Sequence, residues 1–430
     1  MTGVRMVTDA KRKGAEELLH VLDLPLGEAG WARDVRATAR ARLLEAGAPV
    51  RRDEYWKYTD PARLTAPLAL AEVSSEALAG DAASGFDELD ARRIRFVNGR
   101  YRPDLSDEIV QGGLAGASLG EVLGQDLSFA REVFGRLEAA GQEKVARPLA
   151  ALNTACATQG LVLQAAGDVA QPLHLSYDQI GDGASMIHHV IRVEANASLV
   201  LFESGVPSNS VLEIDIGDGG SFHHIRVQTD KRAPSANHIF ARLGAEARFK
   251  SFTLTTDGTL TRNETVMELV GDNGSGHVAG AVLGRGDSHI DNTIFVTHTG
   301  EHCESRQVFK NVLTEKAKGV FQGKIFVRPD AQKTDGYQIS QSLVLDEGAE
   351  FAVKPELEIY ADDVQCSHGS TTGALDETAL FYLRSRGVPQ RAAETMLVAA
   401  FVDEAIDEIS DDRLAAQMRA HVAEWMAVRS

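Results

Sequence analysis

Short alternating apolar segments recur between residues 161 and 373, with Gly, Asn and Asp in the gaps, and this pattern constrains the fold more than any other feature of the chain. Its clearest segments are 248–255, 261–270, 277–283, 289–298, 305–313, 320–327, 337–345 and 356–361. No long helical pattern intervenes, and the connections are seldom the Asn-Gly or Asp-Gly pairs that close a tight hairpin. Stacked coils suit this spacing better than βαβ units do. In a parallel β-helix each short strand pairs with its counterpart one coil away, so local sequence buries a continuous core without hairpins. An antiparallel sandwich is the alternative, because no strict repeat is legible.

The flanks read as helix. Residues 15–46 are rich in Ala, Leu, Glu and Arg, with Leu18, Leu19, Leu22, Trp31 and Val35 at helical intervals. The segment 53–60, DEYWKYTD, reads as a loop or short strand whose Trp56 and Tyr58 pack on the core. Residues 71–91 are small and acidic and are expected to form a mobile surface connection. A second helical stretch is expected over 127–158, carried by Phe129, Val133, Leu137, Val145 and Leu149. After Gly373, Asp376 is placed as an N-cap and Gly387 as a stop, and Pro389 opens a helix to about Ile409. A last helix spans about 412–428. The expected organisation is an N-terminal helical region with an acidic linker over 1–160, a mainly β core over 161–373, and a C-terminal helical domain over 374–430.

Composition narrows the function. With 43% hydrophobic and 25% charged residues, the 430-residue chain can bury a core and stay folded. Its net charge of -18 repels phosphate backbones and anionic lipid, so neither nucleic acid nor membrane is an expected partner. Cys156, Cys303 and Cys366 are widely spaced and odd in number, which fits a reducing cytoplasm and not a secreted disulfide framework. The N-terminus has no apolar run of signal-peptide length, so export is not expected. Walker A, GxSxG, HExxH and dinucleotide motifs are all missing, which weakens the common enzyme classes.

Histidines and cysteines supply the remaining chemistry. His188–His189 and His223–His224 are adjacent pairs, and adjacent strand residues face opposite ways, so each pair offers one imidazole to any common site. Their expected role is structural. His298, His302 and Cys303 in HTGEHC gather soft and borderline metal donors within six residues, although no fourth ligand is evident nearby. Cys366 and His368 in VQCSHGST stand two residues apart, which on a strand puts thiol and imidazole on one face. Such a pair suits a soft metal; a cysteine hydrolase would need its base to approach from outside the nucleophile's own strand. On spacing alone, a packed cysteine beside a hydrogen-bonded histidine ranks first. In the helix after Pro389, Met396, Leu397, Val398, Phe401 and Val402 are more apolar than one inward stripe needs, and Asp403, Glu404, Asp407 and Glu408 sit beside them. That surplus hints at a docking helix.

The run 355–387, PELEIYADDVQCSHGSTTGALDETALFYLRSRG, closely resembles the SufB/SufD family, and its CSHG core is similar to the SufD branch. Weaker similarities are 54–60, like the family's aromatic E-W-[KR]-Y-T element, and 321–345, like its upstream coils. The resemblance extends from about residue 50 to the C-terminus. It implies a right-handed parallel β-helix flanked by helices, acting as a non-enzymatic scaffold with a SufB-type scaffold and the SufC ATPase. It also implies no stably bound cofactor, but a transient iron–sulfur cluster shared with SufB at the junction of the two β-helices. His368 matches the residue assigned to that junction, with Cys366 close by, and the earlier order is reversed more fully for the histidine than for the cysteine. SufB-like sequences carry an acidic residue after this histidine, where Gly369 stands here, so the chain is not read as the sulfur-accepting subunit. Docking of SufC is expected on Phe381, Tyr382, Arg386, Met396, Leu397, Phe401, Asp403 and Glu404, in a C-terminal region whose removal would spare the β-helix. Self-pairing as a homodimer is a further expectation. The competing readings are a carbohydrate-active β-helix enzyme, which the 6% aromatic content does not favour, and a metal carrier acting through His298, His302 and Cys303.

Overall fold

A computed structural model describes residues 7–428 apart from 23–24, 26, 67–68, 72–85, 87–88, 181–182 and 230–232. The expected connection over 71–91 lies largely outside the described residues. From Leu161–Ala165 to Gln365–Gly373 successive strands alternate between two sheets, and each strand pairs in parallel with the next but one along the chain. His224 is in register with Ser251, 27 residues on, and Gln307 with Gln338, 31 residues on. One coil therefore contributes one strand to each sheet, and the chain is a parallel β-solenoid flanked by helices.

Alternation decides what each strand buries. Ile187, Leu201, Ile214, Phe249, Met267, Ile294 and Phe309 point between the sheets and fuse into one long interior cluster. Their neighbours point outward, and those faces are also apolar. On the nine-stranded sheet Val162, Val190, Val211 and Phe240 pack under N-terminal helical residues Val35, Phe134 and Leu137. On the ten-stranded sheet Phe252, Leu254, Ala279 and Ala281 pack under Val398, Val402, Met418, Val422 and Trp425. The layers run helix, sheet, interior, sheet, helix. Polar contacts pin the C-terminal layer: Lys310 reaches Glu404, Trp425 Nε1 donates to Asp257 Oδ1 at 2.9 Å, and His277 Nδ1 lies 3.1 Å from Glu408. Helices that seal a sheet in this way form part of the body's wall. Their removal would bare a row of buried apolar side chains, contrary to the expectation of a spared β-helix.

The N-terminal region departs furthest from expectation. The helix expected over 15–46 is two, Asp9–His20 and Gly30–Ala46, with Pro25 and Gly27 between them. That over 127–158 is three, Ala130–Val133, Arg136–Gly141 and Pro148–Cys156. Gly135 breaks it, with a φ of 65° and Val35 Cγ1 2.4 Å from where a Cβ would stand. Residues 53–60 hold a 3-10 turn, Glu54–Trp56, and not a strand. The turn straps the outer face of the last coils: Tyr55 donates to Glu356 at 2.5 Å, Arg262 lies 4.0 Å over the Trp56 ring, and Thr59 donates to Asp291 at 2.5 Å. Among the described residues three strands precede residue 161, all of them outside the one short strand entertained at 53–60. Arg92–Val97 joins the ten-stranded sheet and Leu114–Ser118 pairs antiparallel with Leu161–Ala165, closing the first coil.

Coils also stack through their corners. A Cβ on Gly271 would stand 2.0 Å from the Ala245 amide nitrogen, and one on Gly300 would stand 2.4 Å from the Gly271 carbonyl oxygen. Gly369 of the last coil has nothing within 4 Å of a built Cβ. Gly271→Ala is expected to cost about 1–3 kcal/mol, as overpacking does, whereas Gly369→Ala should change stability by less than about 0.5 kcal/mol. Urea denaturation followed by circular dichroism measures both.

Candidate functional site

Along Asp335–Val344 burial alternates, with Gly336, Gln338, Ser340 and Ser342 buried and the residues between them partly exposed. The buried set faces the interior. Register places Cys366 on Gly336, His368 on Gln338, Ser370 on Ser340 and Thr372 on Ser342. Thiol and imidazole therefore share the inward side, as their spacing predicts. Opposite them Phe351, Val353 and Leu357 pack into the interior clusters. Strands Glu350–Ile359 and Gln365–Gly373 end their sheets, and among the described residues nothing pairs with their far sides. Positions that every earlier coil buries are consequently open here.

The free edge has a defined hydrogen-bonding pattern. Glu350 N donates to Ala317 O and Tyr360 N to Val327 O, so even-numbered amides of this strand point back to the preceding coil and odd-numbered ones point outward. Pro355 occupies an outward position, where its missing N–H breaks no bond within the chain. On the other strand Gln365 N donates to Thr334 O, which turns the amides of Cys366, His368, Ser370 and Thr372 to the free edge.

Cys366 packs half-buried against Ile325, Val327 and Leu357, and this burial, with a smaller opposing effect from the Gly336 amide, raises its pKa. At neutral pH it is a thiol, and binding a soft metal would release its proton. Beside it opens a hollow of about 470 Å³ lined by Arg306, Asp335, Tyr337, Gln365 and Ser367, in which Arg306 Nη1 holds Asp335 Oδ1 at 2.9 Å. His368 is exposed.

The HTGEHC cluster is a coil corner. His302 adopts a φ of 55°, as Glu246 and Asn273 do at the two preceding corners, and points to solvent. His298 is buried with Nε2 2.8 Å from Ser305 Oγ, and burial lowers its pKa to about 4. The Cys303 thiol donates to the Gly271 carbonyl at 3.2 Å. Exposed and buried residues thus alternate where three converging ligands would be needed. Among the described residues no group of three or more His, Cys, Asp and Glu side chains is arranged to hold a metal ion.

The paired histidines divide between faces. His188 turns out to Glu213, at 2.8 Å, under the N-terminal helices, and His189 turns in to the Tyr177 hydroxyl at 2.9 Å. His224 lies inside between Glu203 and Ser251.

The proposed docking residues also divide. Helix Glu377–Ser385 buries no residue, and Phe381, Tyr382 and Met396 are 73%, 57% and 52% exposed. Arg386 lies 5.0 Å over the Tyr382 ring. Leu397 is half-buried. Phe401 sits over Lys310, Glu404 pairs with that lysine, and Asp403 accepts from Arg419 at 2.5 Å, so these three hold the helical layer together.

One feature of the site was not anticipated from the sequence. The floor beneath His368 is polar: Gln307, Gln338, Ser340 and Ser342 are buried, and neither the two amides nor the two hydroxyls bond to a protein group. Leaving such a group unpaired costs about 1–3 kcal/mol each. The available signal was polar residues at inward positions of QVFKN and YQISQS, visible only once the phase of each strand is known.

The SufBD core model of SUF system FeS cluster assembly matches residues 176–401. The iron–sulfur cluster assembly protein SufD of Escherichia coli is 29% identical over 89% of this chain and 90% of its own length. An iron–sulfur cluster assembly SufBD family protein of Synechocystis is 30% identical over 87% of each chain, and SufD of Bacillus subtilis is 26% identical over 61% of this chain and 63% of its own. The matched core spans the solenoid from its second coil through the open edge and into the C-terminal helices, and the chain belongs to the SufB/SufD family of the SUF iron–sulfur cluster assembly system, on its SufD branch.

Proposed function

We propose that the chain is a non-catalytic cytoplasmic scaffold that pairs edge to edge with a SufB-type β-helix and helps to assemble a transient iron–sulfur cluster at that junction. The observation that carries this reading is the open last coil, which presents His368 and Cys366 beside two unpaired strand edges. A second parallel solenoid would satisfy those edges by continuing both sheets. The seam would then close over the imidazole and thiol, both good iron ligands. The cluster is cargo, with no stably bound cofactor of the chain's own. In the absence of a SufB-type partner the same edges would pair two copies as a homodimer. A SufC-type ATPase would dock on the exposed apolar surface of Phe381, Tyr382 and Met396, with Arg386 and Leu397 at its margin.

Three outcomes test this. His368→Ala should leave assembly with SufB- and SufC-type subunits intact while lowering the activity of cluster-dependent enzymes in complemented cells at least tenfold; normal activity would remove His368 from the site. Ser370→Pro with Thr372→Pro deletes two edge-facing donors and no bond within the chain. It should abolish pairing in co-purification and in size-exclusion chromatography while circular dichroism stays unchanged. Phe381→Asp with Met396→Asp should weaken pull-down of the ATPase at least tenfold without unfolding the chain, because neither side chain is buried. Truncation at residue 377 is unsuitable for that purpose, since it strips the helical wall from the sheet.

A further inference from the structure

Gln338 lies directly beneath His368 as its register partner on the preceding coil, and Gln307 lies beneath Gln338. One strand spacing, about 4.8 Å, separates these backbones, and since the Gln338 amide makes no direct bond to the imidazole, an ordered water is what would join them. Gln338 is fully buried, and neither its amide nitrogen nor its oxygen bonds to a protein group; the same holds for Gln307. Its amide extends across the interior over Gly323, where a Cβ would meet Nε2, Cδ and Oε1 at 2.4–2.5 Å. The missing side chain makes room for a long polar one.

What faces that amide from the last coil is one-sided. Above Gly323 the opposite strand offers Pro355, which has no N–H, flanked by Val353 and Leu357. Hydrogen-bonding side chains come only from the other strand, as His368 and Ser370. No inward position in 351–359 or 336–342 carries a charged group, and the one titratable inward neighbour on the last strand is Cys366, kept protonated by its burial.

An imidazole that ligates metal through one ring nitrogen needs its other nitrogen held, because that second bond sets tautomer and ring orientation. We propose that Gln338 is the positioning partner of His368, its Oε1 held through one ordered water to the N–H of one ring nitrogen and leaving the other lone pair free. A neutral amide does this without adding charge to the junction. The inference rests on His368 as the junction ligand, and it adds the residue that aims it.

Long-range proton–nitrogen NMR of the full chain with labelled histidine tests it, the His368 signals being assigned by their loss in His368→Ala. One tautomer should dominate in the unsubstituted protein. Gln338→Met, similar in length and apolar, should shift the tautomer ratio about tenfold toward that of free imidazole. Gln338→Glu, whose carboxylate can accept the same N–H, should keep the dominant tautomer. A free-imidazole mixture in the unsubstituted protein overturns the proposal, and so does a His368 tautomer ratio indifferent to Gln338→Met. Should Gln338→Met fail to fold, the unsubstituted spectrum still decides. The spectra need no partner subunit, so they are independent of the cellular test of His368→Ala, whose failure would remove the junction role and leave the tautomer result standing.

Discussion

Parallel backbone pairing between coils is the interaction on which everything else depends. Each strand from Leu173–Asp178 to Asp335–Val344 pairs in parallel with its equivalents before and after it, in unbroken register across nine or ten residues in the later coils. Because register is kept, like positions stack, and a side chain's direction is inherited from the coil below. An apolar column inside and an apolar column outside both follow from one ladder. The corner glycines serve the same end, since coils separated by one strand spacing leave no room for a Cβ against the backbone beneath.

A solenoid built this way has two apolar outer faces and two ends, and the chain treats them differently. Helices cover both faces, the N-terminal set over Val162, Val190 and Val211 and the C-terminal set over Phe252, Leu254 and Ala279. The first end is closed by Leu114–Ser118, which runs antiparallel and so cannot continue the stack. The last end is left as two bare strands. Strand Glu304–Leu313 joins the two kinds of surface, for it carries Lys310 outward to Glu404 and Gln307 inward below the site.

The coiled core was legible because alternation is local: a strand such as His289–His298 declares its period within its own residues. The helical flanks were less so. Residues 127–158 have helical spacing throughout, yet the chain must turn at Gly135 to lie against Val35, a contact made by residues a hundred positions earlier. The strands at 92–97 and 114–118 escaped notice because they complete a sheet begun elsewhere. At the site, Cys366 and His368 fall on one face as their spacing implies, whereas Gln307 and Gln338 acquire meaning only from registers of 30 or 31 residues. In the same way HTGEHC looked like a ligand set by composition, but a corner runs through it and sends His302 out while Cys303 turns in.

Pro355 gives the open edge an asymmetry that its side chains alone would not. The outward amides of this strand form a row with one tooth missing, so an approaching strand must present something other than a carbonyl at that rung. A slip of one residue would turn every side chain to the wrong face. In the pairing proposed above, that rung would be the one place along the edge where a neighbouring strand finds a proline ring instead of a donor.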